Sequence, residues 1–399
     1  MALDGTGPAI LPVAPEGAEA VRVQAALRPD QPVEDDQTAV VIATSGSTGE
    51  PKGVLLSGAA LQASADLTHA QLGGPGCWLL ALPLTHIGGL QVVVRSLLAG
   101  VGPVTPRDGT AAAFVAATEL LGHSATGRRY TSLVPTQLRR LLAAGPEAVD
   151  ALAGYDAILV GGAAADPGLL AEARTRGITV VTTYGMSETS GGCVYEGRPL
   201  PGVRVRLATD RLPGARSTGP ELIELSGPVL ASGYRLRPDL TARHFADGWF
   251  TTSDLGQLTD DGHLVVAGRS DDMIVTGGQK VAPAAVEAVL ATHADIADVA
   301  VLGAADPDWG QRVVAVVVLH ADRHLTLAQV RAHVSSLMPR AAAPHELRVV
   351  EALPMLASGK LDRLAVGAAL LSARGPGSVP PAGPGAASAR GAVQPVAEH

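Results

Sequence analysis

The sequence predicts an α/β protein with a large N-terminal domain built on a parallel sheet flanked by helices, a small β-barrel-like subdomain, and a small, mobile α+β C-terminal domain. Three patterns support this prediction. Short apolar runs alternate with longer amphipathic runs from about residue 38 to residue 183, which is typical of parallel β-α-β units. After Pro199 the runs alternate polar with apolar residues, as antiparallel strands do. A further mixture of helices and strands begins near Gly268.

The first region contains the elements of the predicted parallel sheet. Residues 1–36 are rich in Pro, Ala and acidic residues, and we expect a lead-in segment with one short helix at 16–27. Strands are predicted at 39–43, 78–82, 157–160 and 178–182. Helices are predicted at 57–70, 88–99, 111–121, 135–144 and 167–176. Because residues 158–160 are all apolar, we expect helices on both faces of this sheet.

The remaining elements form two smaller units and a tail. Strands at 203–207 and 221–225 are predicted to belong to the barrel-like subdomain, which ends near residue 266. Beyond it we expect helices at 283–292 and 327–337 and strands at 299–303, 313–319 and 347–350. The predicted domains are therefore 1–267 and 268–372. The tail at 373–399 is rich in Gly, Pro, Ala and Ser without apolar periodicity, and we expect it to be disordered.

The composition excludes several classes of function. Lys and Arg number 30 against 38 Asp and Glu, without basic clusters, which argues against nucleic acid or an anionic membrane as a partner. The N-terminus does not resemble a signal peptide, and no apolar run reaches membrane-spanning length. Cys77 and Cys193 cannot build a disulfide framework. We expect a cytoplasmic protein without membrane insertion, and homodimer formation is left open.

Residues 44–53 read Thr-Ser-Gly-Ser-Thr-Gly-Glu-Pro-Lys-Gly and follow a predicted strand. The glycines let backbone N–H groups turn inward, the hydroxyl groups add donors and Lys52 adds positive charge, so the composition suits a phosphate group, although solvated turns share it. The segment is not a Walker A loop, because its lysine lies between Pro51 and Gly53. Since ligands bind beyond the carboxyl ends of parallel strands, we expect this loop at the site. The predicted binding residues are Thr44, Ser45, Gly46, Ser47, Thr48, Gly49 and Lys52.

The loop resembles the phosphate loop of the adenylate-forming superfamily, which includes acyl-CoA synthetases, peptide-synthetase adenylation domains and luciferases. Other stretches resemble family motifs in the same order: Gly-Gly-Ala at 161–163, Tyr-Gly-Met-Ser-Glu-Thr at 184–189, Trp-Phe-Thr-Thr-Ser-Asp at 249–254, Gly-Arg-Ser-Asp-Asp at 268–272, Gly-Gly-Gln-Lys at 277–280 and Ser-Gly-Lys-Leu-Asp-Arg at 358–363. The resemblance covers residues 38 to 363. The phosphate loop lies much closer to the N-terminus than in most of the superfamily, so we expect much of the usual N-terminal subdomain to be absent.

The resemblance implies ATP, Mg²⁺ and coenzyme A as cofactor and co-substrates. Asp254 would accept both ribose hydroxyls, for which a carboxylate has two acceptor oxygens, and Arg269 would contact ribose or phosphate. The family usually has glycine where this chain has Ser253. Glu188 and Thr48 would hold Mg²⁺, although Glu188 alone also fits a helix N-terminal acid. The other implied nucleotide- and coenzyme-binding residues are Gly161, Gly162, Ala163, Tyr184, Gly185, Met186, Ser187, Thr189, Gly277 and Gly278.

The resemblance also implies a two-step mechanism. The acid would attack the α-phosphorus of ATP to give an acyl-adenylate, and a thiol would then attack the adenylate after the C-terminal domain rotates about Asp271. Lys360 would bind the α-phosphate and the acid during the first step. The residues that carry the chemistry would be Lys360, Lys52, Thr48, Glu188 and His86.

Two stretches of the sequence restrict the choice of acid substrate. Residues 82–89 contain no carboxylate to pair with a substrate ammonium group, which argues against an amino-acid substrate. Residues 184–197 most closely resemble short actinobacterial o-succinylbenzoate-CoA ligases of menaquinone biosynthesis. A CoA ligase for another aryl or medium-chain acid and an inactive nucleotide-binding relative remain as alternatives. We predict that the substrate's second carboxylate meets donors among four side chains, those of His86, Thr136, Gln137 and Ser190.

Overall fold

The computed structural model describes residues 2–45, 50–121, 127–208, 219–356 and 361–372. Part of the predicted site therefore lies outside the described residues, namely Gly46, Ser47, Thr48, Gly49 and Lys360. The predicted tail at 373–399 lies outside them as well. None of the described helices is long and apolar enough to cross a membrane.

A hairpin precedes the main sheet. The first elements are α1 (Ala18–Leu27), β1 (Thr38–Ser45), β2 (Pro51–Ser57) and α2 (Gly58–Gln71). β1 and β2 are antiparallel, with Thr44 opposite Lys52. The expectation that the phosphate segment follows a strand of the parallel sheet is therefore wrong, because so short a connection can join only antiparallel strands. The second strand of this hairpin was not predicted.

The main sheet alternates strands and helices as predicted, but the strand at Arg129–Leu133 and the helix at Pro146–Ala153 were not predicted. Its elements in chain order are β3 (Cys77–Leu79), α3 (Ile87–Leu98), α4 (Ala111–Leu121), β4 (Arg129–Leu133), α5 (Pro135–Ala143), α6 (Pro146–Ala153), β5 (Ala157–Gly161), α7 (Pro167–Thr175), β6 (Val180–Met186), β7 (Gly191–Tyr195) and β8 (Arg198–Pro199). The strand order is β3-β4-β5-β6-β7-β8. The first four strands are parallel and the last two are antiparallel. Ile158 and Val160 pack into one core cluster and Leu159 into another, which confirms that both faces are covered.

The barrel-like part is a twisted antiparallel sheet. Its elements are β9 (Arg204–Leu207), β10 (Glu221–Ser226), β11 (Gly233–Tyr234), α8 (Pro238–His244), β12 (Phe245–Ala246), β13 (Trp249–Leu258) and β14 (Leu264–Arg269). The sheet order is β12-β13-β10-β9, and β14 pairs with β13. β11 pairs instead with β2, which joins this region to the hairpin of β1 and β2.

The C-terminal region has its own sheet and core. Its elements are β15 (Ile274–Thr276), β16 (Gln279–Val281), α9 (Pro283–Leu290), β17 (Ile296–Asp306), β18 (Gly310–Leu319), α10 (Leu327–Leu337), β19 (Glu346–Val349) and α11 (Arg363–Ser372). Strands β16, β15, β18 and β17 are antiparallel neighbours, and β19 is parallel to β18. A separate hydrophobic cluster lies between this sheet and its helices.

The N-terminal segment is fastened to the fold by a buried arginine. The Arg235 side chain is 2% exposed. Its guanidinium donates to four backbone carbonyls and pairs with Glu34 at 3.2 Å. The carbonyls belong to Leu27, Arg28, Gln31 and Pro32. The segment expected to be a lead-in is thus an integral part of the domain.

Candidate active site

A cavity of about 450 Å³ lies where the hairpin, the main sheet and the barrel-like sheet meet. It brings together twelve of the residues that the sequence predicted: Thr44, Lys52, His86, Gly161, Gly162, Gly185, Met186, Ser187, Glu188, Asp254, Arg269 and Asp271. Two of the glycines are required by close approaches, because a Cβ on Gly161 would lie 2.3 Å from the Thr183 Oγ1 and one on Gly185 would lie 2.1 Å from the Gly191 carbonyl oxygen. The strand ends thus approach one another too closely for side chains.

Other predicted residues do not line this cavity. Gly277 and Gly278 connect β15 and β16, and Ala163 follows β5 without reaching the cavity wall. Thr189 supports the turn, since its hydroxyl donates to the Gly191 carbonyl at 2.8 Å. Ser45 ends β1 opposite Pro51.

Three of the four predicted substrate residues lie away from the cavity lining. The Gln137 amide donates to the Ala81 carbonyl at 2.8 Å and accepts from the Val134 N–H at 3.1 Å. The buried Ser190 hydroxyl donates to the Val229 carbonyl at 2.8 Å. Thr136 lies beside Gln137 in the first turn of α5. Among the four, the structure brings only His86, at the N-terminus of α3, to the cavity.

Glu188 projects from a short 3-10 turn that follows β6. The turn ends at Ser190, whose φ of 51° reverses the chain into β7. The Tyr234 hydroxyl donates to the Glu188 Oε1 at 2.9 Å. Burial raises the pKa of Glu188, and the Tyr234 hydroxyl, Lys52 and His244 act in the opposite direction. A buried carboxylate beside a lysine, open to a cavity, fits the chemistry of Mg²⁺ held between protein and phosphate oxygens.

Asp254 lies on β13 and is held by a tyrosine. The Tyr184 hydroxyl donates to the Asp254 Oδ2 at 2.8 Å, and the Arg269 Nη1 lies 3.7 Å from the Asp254 Oδ1. Burial raises the pKa of Asp254, while the Tyr184 hydroxyl and Arg269 oppose the shift. Each carboxylate oxygen has more than one lone pair, so the group can accept further donors from a ligand. Ser253 also lines the cavity.

The predicted hinge adjoins this aspartate. Arg269 pairs with Asp271 at 2.7 Å, and the Ser270 hydroxyl donates to the Asp271 Oδ1 at 3.0 Å. Although burial acts to raise it, these two contacts hold the pKa of Asp271 below its ordinary value. Asp271 therefore carries a negative charge in the cavity wall at neutral pH.

The C-terminal region also reaches the cavity. Leu356 lines it, and Met355 forms a β-bridge with Leu361. Of the described residues next to 357–360, Leu356 therefore lies at the site, and the role of Lys360 stays a prediction.

One face of α3 forms a wall that the sequence analysis missed. Ile87, Gln91 and Arg95 are spaced by one helical turn and all line the cavity. Gln91 is fully buried, and its Nε2 donates to the Ser190 carbonyl at 2.8 Å. The available signal was the pair Gln91 and Arg95, four positions apart in a mostly apolar helix. Tyr234 was also missed, since a Gly-Tyr pair between irregular segments gives no periodic signal.

Comparisons with known proteins agree with this geometry. The AMP-binding enzyme family matches residues 6–235, and the AMP-binding enzyme C-terminal domain matches residues 285–360. The first match begins well before residue 38, so the expectation that the N-terminal segment lies outside the resemblance is wrong. The N-terminal segment is part of the domain, to which the hydrogen bonds of Arg235 attach it.

Relatives and solved structures with named activities are similar over most of the chain. The Mycobacterium tuberculosis (strain CDC 1551 / Oshkosh) protein named probable 2-succinylbenzoate–CoA ligase is 47% identical over 369 residues, which are 91% of this chain and 92% of the relative. A structure of the Bacillus subtilis o-succinylbenzoate CoA synthetase with its acyl-adenylate intermediate matches with a TM-score of 0.72 and 30% identity, covering 84% of this chain and 70% of that one. The same synthetase with ATP and a magnesium ion matches with a TM-score of 0.72 and 30% identity, covering 84% and 71%. The chain belongs to the AMP-binding enzyme family.

Proposed function

We propose that this protein is an ATP-dependent acid–CoA ligase that acts through an acyl-adenylate and converts 2-succinylbenzoate to its CoA ester, a step of menaquinone biosynthesis. The observation that carries the proposal is that Lys52 and Glu188 line the same cavity as Asp254 and Arg269. These are side chains suited to a triphosphate and to a ribose. The similarity to named 2-succinylbenzoate–CoA ligases supports the choice of acid.

The first half-reaction joins the acid to the nucleotide. A carboxylate oxygen of the acid forms a bond to the α-phosphorus of ATP while the bond to the bridging oxygen breaks, which releases pyrophosphate. Asp254 accepts the ribose hydroxyls and Lys52 balances the phosphate charge. Glu188, with Thr48 as predicted from the sequence, would hold Mg²⁺, which neutralises charge on the phosphate oxygens when bound. Lys360 adds a positive charge at the reacting groups.

The second half-reaction transfers the acyl group to coenzyme A. The CoA sulfur forms a bond to the acyl carbon, and AMP leaves with the electron pair of the broken mixed anhydride bond. We infer that the C-terminal domain at 268–372 first rotates about Asp271, which withdraws Lys360 and brings the segment with Gly277 and Gly278 to the thiol. The ion pair of Arg269 with Asp271 would have to rearrange during this rotation.

The deciding experiment measures ATP–pyrophosphate exchange with 2-succinylbenzoate, benzoate, octanoate and a mixture of amino acids, followed by thioester formation with CoA. We expect exchange with 2-succinylbenzoate well above that with the other acids, and AMP and a CoA ester once CoA is added. Exchange with benzoate or octanoate alone would replace the proposed acid and keep the ligase class. Absence of exchange with every acid in the panel, in a protein with a cooperative melting curve, would refute the proposed function.

A further inference from the structure

Arg139 connects the N-terminal domain to the C-terminal domain by a contact that is separate from the hinge segment at 268–272. It lies on α5, and its Nη1 donates a hydrogen bond to the Ala297 carbonyl at 2.6 Å. The same nitrogen lies 3.8 Å from the Asp298 Oδ1. Both partners lie at the start of β17, in the sheet of the C-terminal region. The guanidinium therefore crosses from one domain to the other.

Arg139 also has an acidic partner in its own domain. Its Nη2 lies 3.8 Å from the Asp166 Oδ2. Asp166 caps the N-terminus of α7, where its Oδ1 accepts from the Gly168 N–H at 2.9 Å. Because that cap belongs to the N-terminal domain, Asp166 stays beside α5 when the C-terminal domain moves. The contact with β17 can thus break without leaving the guanidinium unpaired.

The two domains are arranged as the first half-reaction would require. Leu356, from the C-terminal domain, lines the cavity that contains Glu188. Gly277 and Gly278, which the sequence assigned to the second step, do not line it. A rotation about Asp271 carries β17 with the rest of its sheet, because β17 is paired with β18 along its whole length. A contact between β17 and α5 therefore belongs to one of the two arrangements only.

We propose that Arg139 is a positioning residue that favours the domain arrangement of the first half-reaction, and that its contact with β17 breaks when the C-terminal domain rotates for thioester formation. This inference rests on the proposed function and gives a side chain outside the cavity a part in the balance between the two steps. A contact made in only one of two states shifts their equilibrium by its own free energy. For an exposed ion pair with one hydrogen bond the shift is about 3- to 10-fold. A bias of that size favours adenylation without preventing the rotation.

The test compares the two half-reactions in variants that weaken the contact from either side. Arg139→Met removes the guanidinium. Asp298→Asn removes the charge on β17, and its amide oxygen can still accept the hydrogen bond that the Val299 N–H donates to Asp298 at 3.0 Å. The matched control is Arg140→Met, because Arg140 is the next residue of α5 and is exposed. Single-turnover rates are measured from 2-succinylbenzoate plus ATP, and separately from its synthetic adenylate plus CoA, at low and at high salt.

We expect Arg139→Met to slow the first half-reaction and to speed the second, so that the ratio of the two rates falls about 3- to 10-fold. Asp298→Asn should lower the ratio by less, since the hydrogen bond to the Ala297 carbonyl remains. Salt screens exposed ion pairs, so added salt should lower the ratio more in the unaltered protein and in Arg140→Met than in Arg139→Met. A residue with a merely structural role would reduce both rates together or change the melting temperature alone.

Three results would overturn the inference and leave the ligase assignment standing: an unchanged ratio in Arg139→Met, equal losses in both half-reactions, or the same fall in Arg140→Met. If Arg139→Met does not fold, an unchanged ratio in Asp298→Asn would overturn it. Absence of pyrophosphate exchange with every acid of the panel in the unaltered protein would overturn the proposed function, and the inference with it.

Discussion

The hydrogen bond between Tyr234 and Glu188 offers a sharp test of the metal and phosphate end of the site. Tyr234→Phe removes one hydroxyl group, which lies 2.9 Å from the Glu188 Oε1. The ring itself should stay in place, because it packs edge-on against His244 and Phe245 with centroid distances of 6.0 and 5.7 Å. Burial and the neighbouring Glu188 raise the pKa of Tyr234, so the hydroxyl is a neutral donor throughout the working pH range.

The magnitude follows from the charge of the acceptor. A hydrogen bond to a charged group contributes about 1.5 to 3 kcal/mol, and each 1.36 kcal/mol corresponds to a factor of ten. Without it, Glu188 is free to turn away from the position in which it would hold Mg²⁺. If the whole cost appears in the adenylation step, kcat/KM for pyrophosphate exchange should fall about 10- to 150-fold. The Mg²⁺ concentration needed for half-maximal rate should rise.

A matched control separates this effect from the general cost of losing a buried hydroxyl. Tyr155 makes a hydrogen bond of 2.8 Å with the Thr118 Oγ1 and packs in a core cluster on the main sheet, away from the cavity lining. Tyr155→Phe should lower the melting temperature but leave the exchange kinetics and the Mg²⁺ dependence unchanged. If Tyr234→Phe kept the parent kcat/KM and the parent Mg²⁺ dependence, Glu188 would not be the residue that holds the ion.

Three other predictions follow from buried charges and from the hinge. Asp254→Asn should weaken ATP use and raise the melting temperature at pH 7. Because burial raises the pKa of Asp254, the folded protein loses stability as the pH rises from the pKa of an unfolded aspartate to the higher pKa of the folded one. The increase in melting temperature should therefore vanish in acid below both pKa values. Arg235→Met should lower the free energy of unfolding in urea by about 3 to 5 kcal/mol, since it leaves four backbone carbonyls without their donor and removes the ion pair with Glu34; an unchanged midpoint would contradict this. Lys360→Ala should raise the free-energy barrier of adenylation by roughly 3 to 4 kcal/mol and still convert supplied acyl-adenylate and CoA to the thioester. Asp271→Pro should still form the adenylate but slow thioester formation, because proline fixes φ and blocks the hinge. Single-turnover measurements started from acid plus ATP, and separately from adenylate plus CoA, test both variants, and equal damage to both steps would contradict the hinge.

Much of the fold could be predicted because its strands and helices have strong periodicity. The helices of the main sheet begin and end within a few residues of their predicted limits, as at α4 and α7. β2 was not predicted, because it begins with Pro51 and Gly53, residues that indicate a turn in isolation. Its pairing with β1 and β11 overrides that local preference, and no local pattern contains information on such pairing.

The cavity residues also divide into those that the sequence could indicate and those that it could not. Residues in contiguous motifs, such as Glu188 and Asp254, could be found because each motif combines turn chemistry with a carboxylate. Their partners could not, since Tyr184 lies seventy positions from Asp254 in the hydrogen bond that joins them. Gln137 illustrates the same limit: it was predicted as a substrate contact without a motif, and the structure shows its amide hydrogen-bonded to Val134 and Ala81.

The cavity wall contains two buried groups of opposite charge that the free protein does not fully compensate. Glu188 is a buried carboxylate whose pKa burial raises, and Arg95 is a buried guanidinium without an anionic partner among the described residues. Each group therefore lowers the stability of the empty enzyme, and a ligand that supplies the complementary charge returns that stability as binding free energy. The nucleotide with its metal should consequently raise the melting temperature through its contact with Glu188.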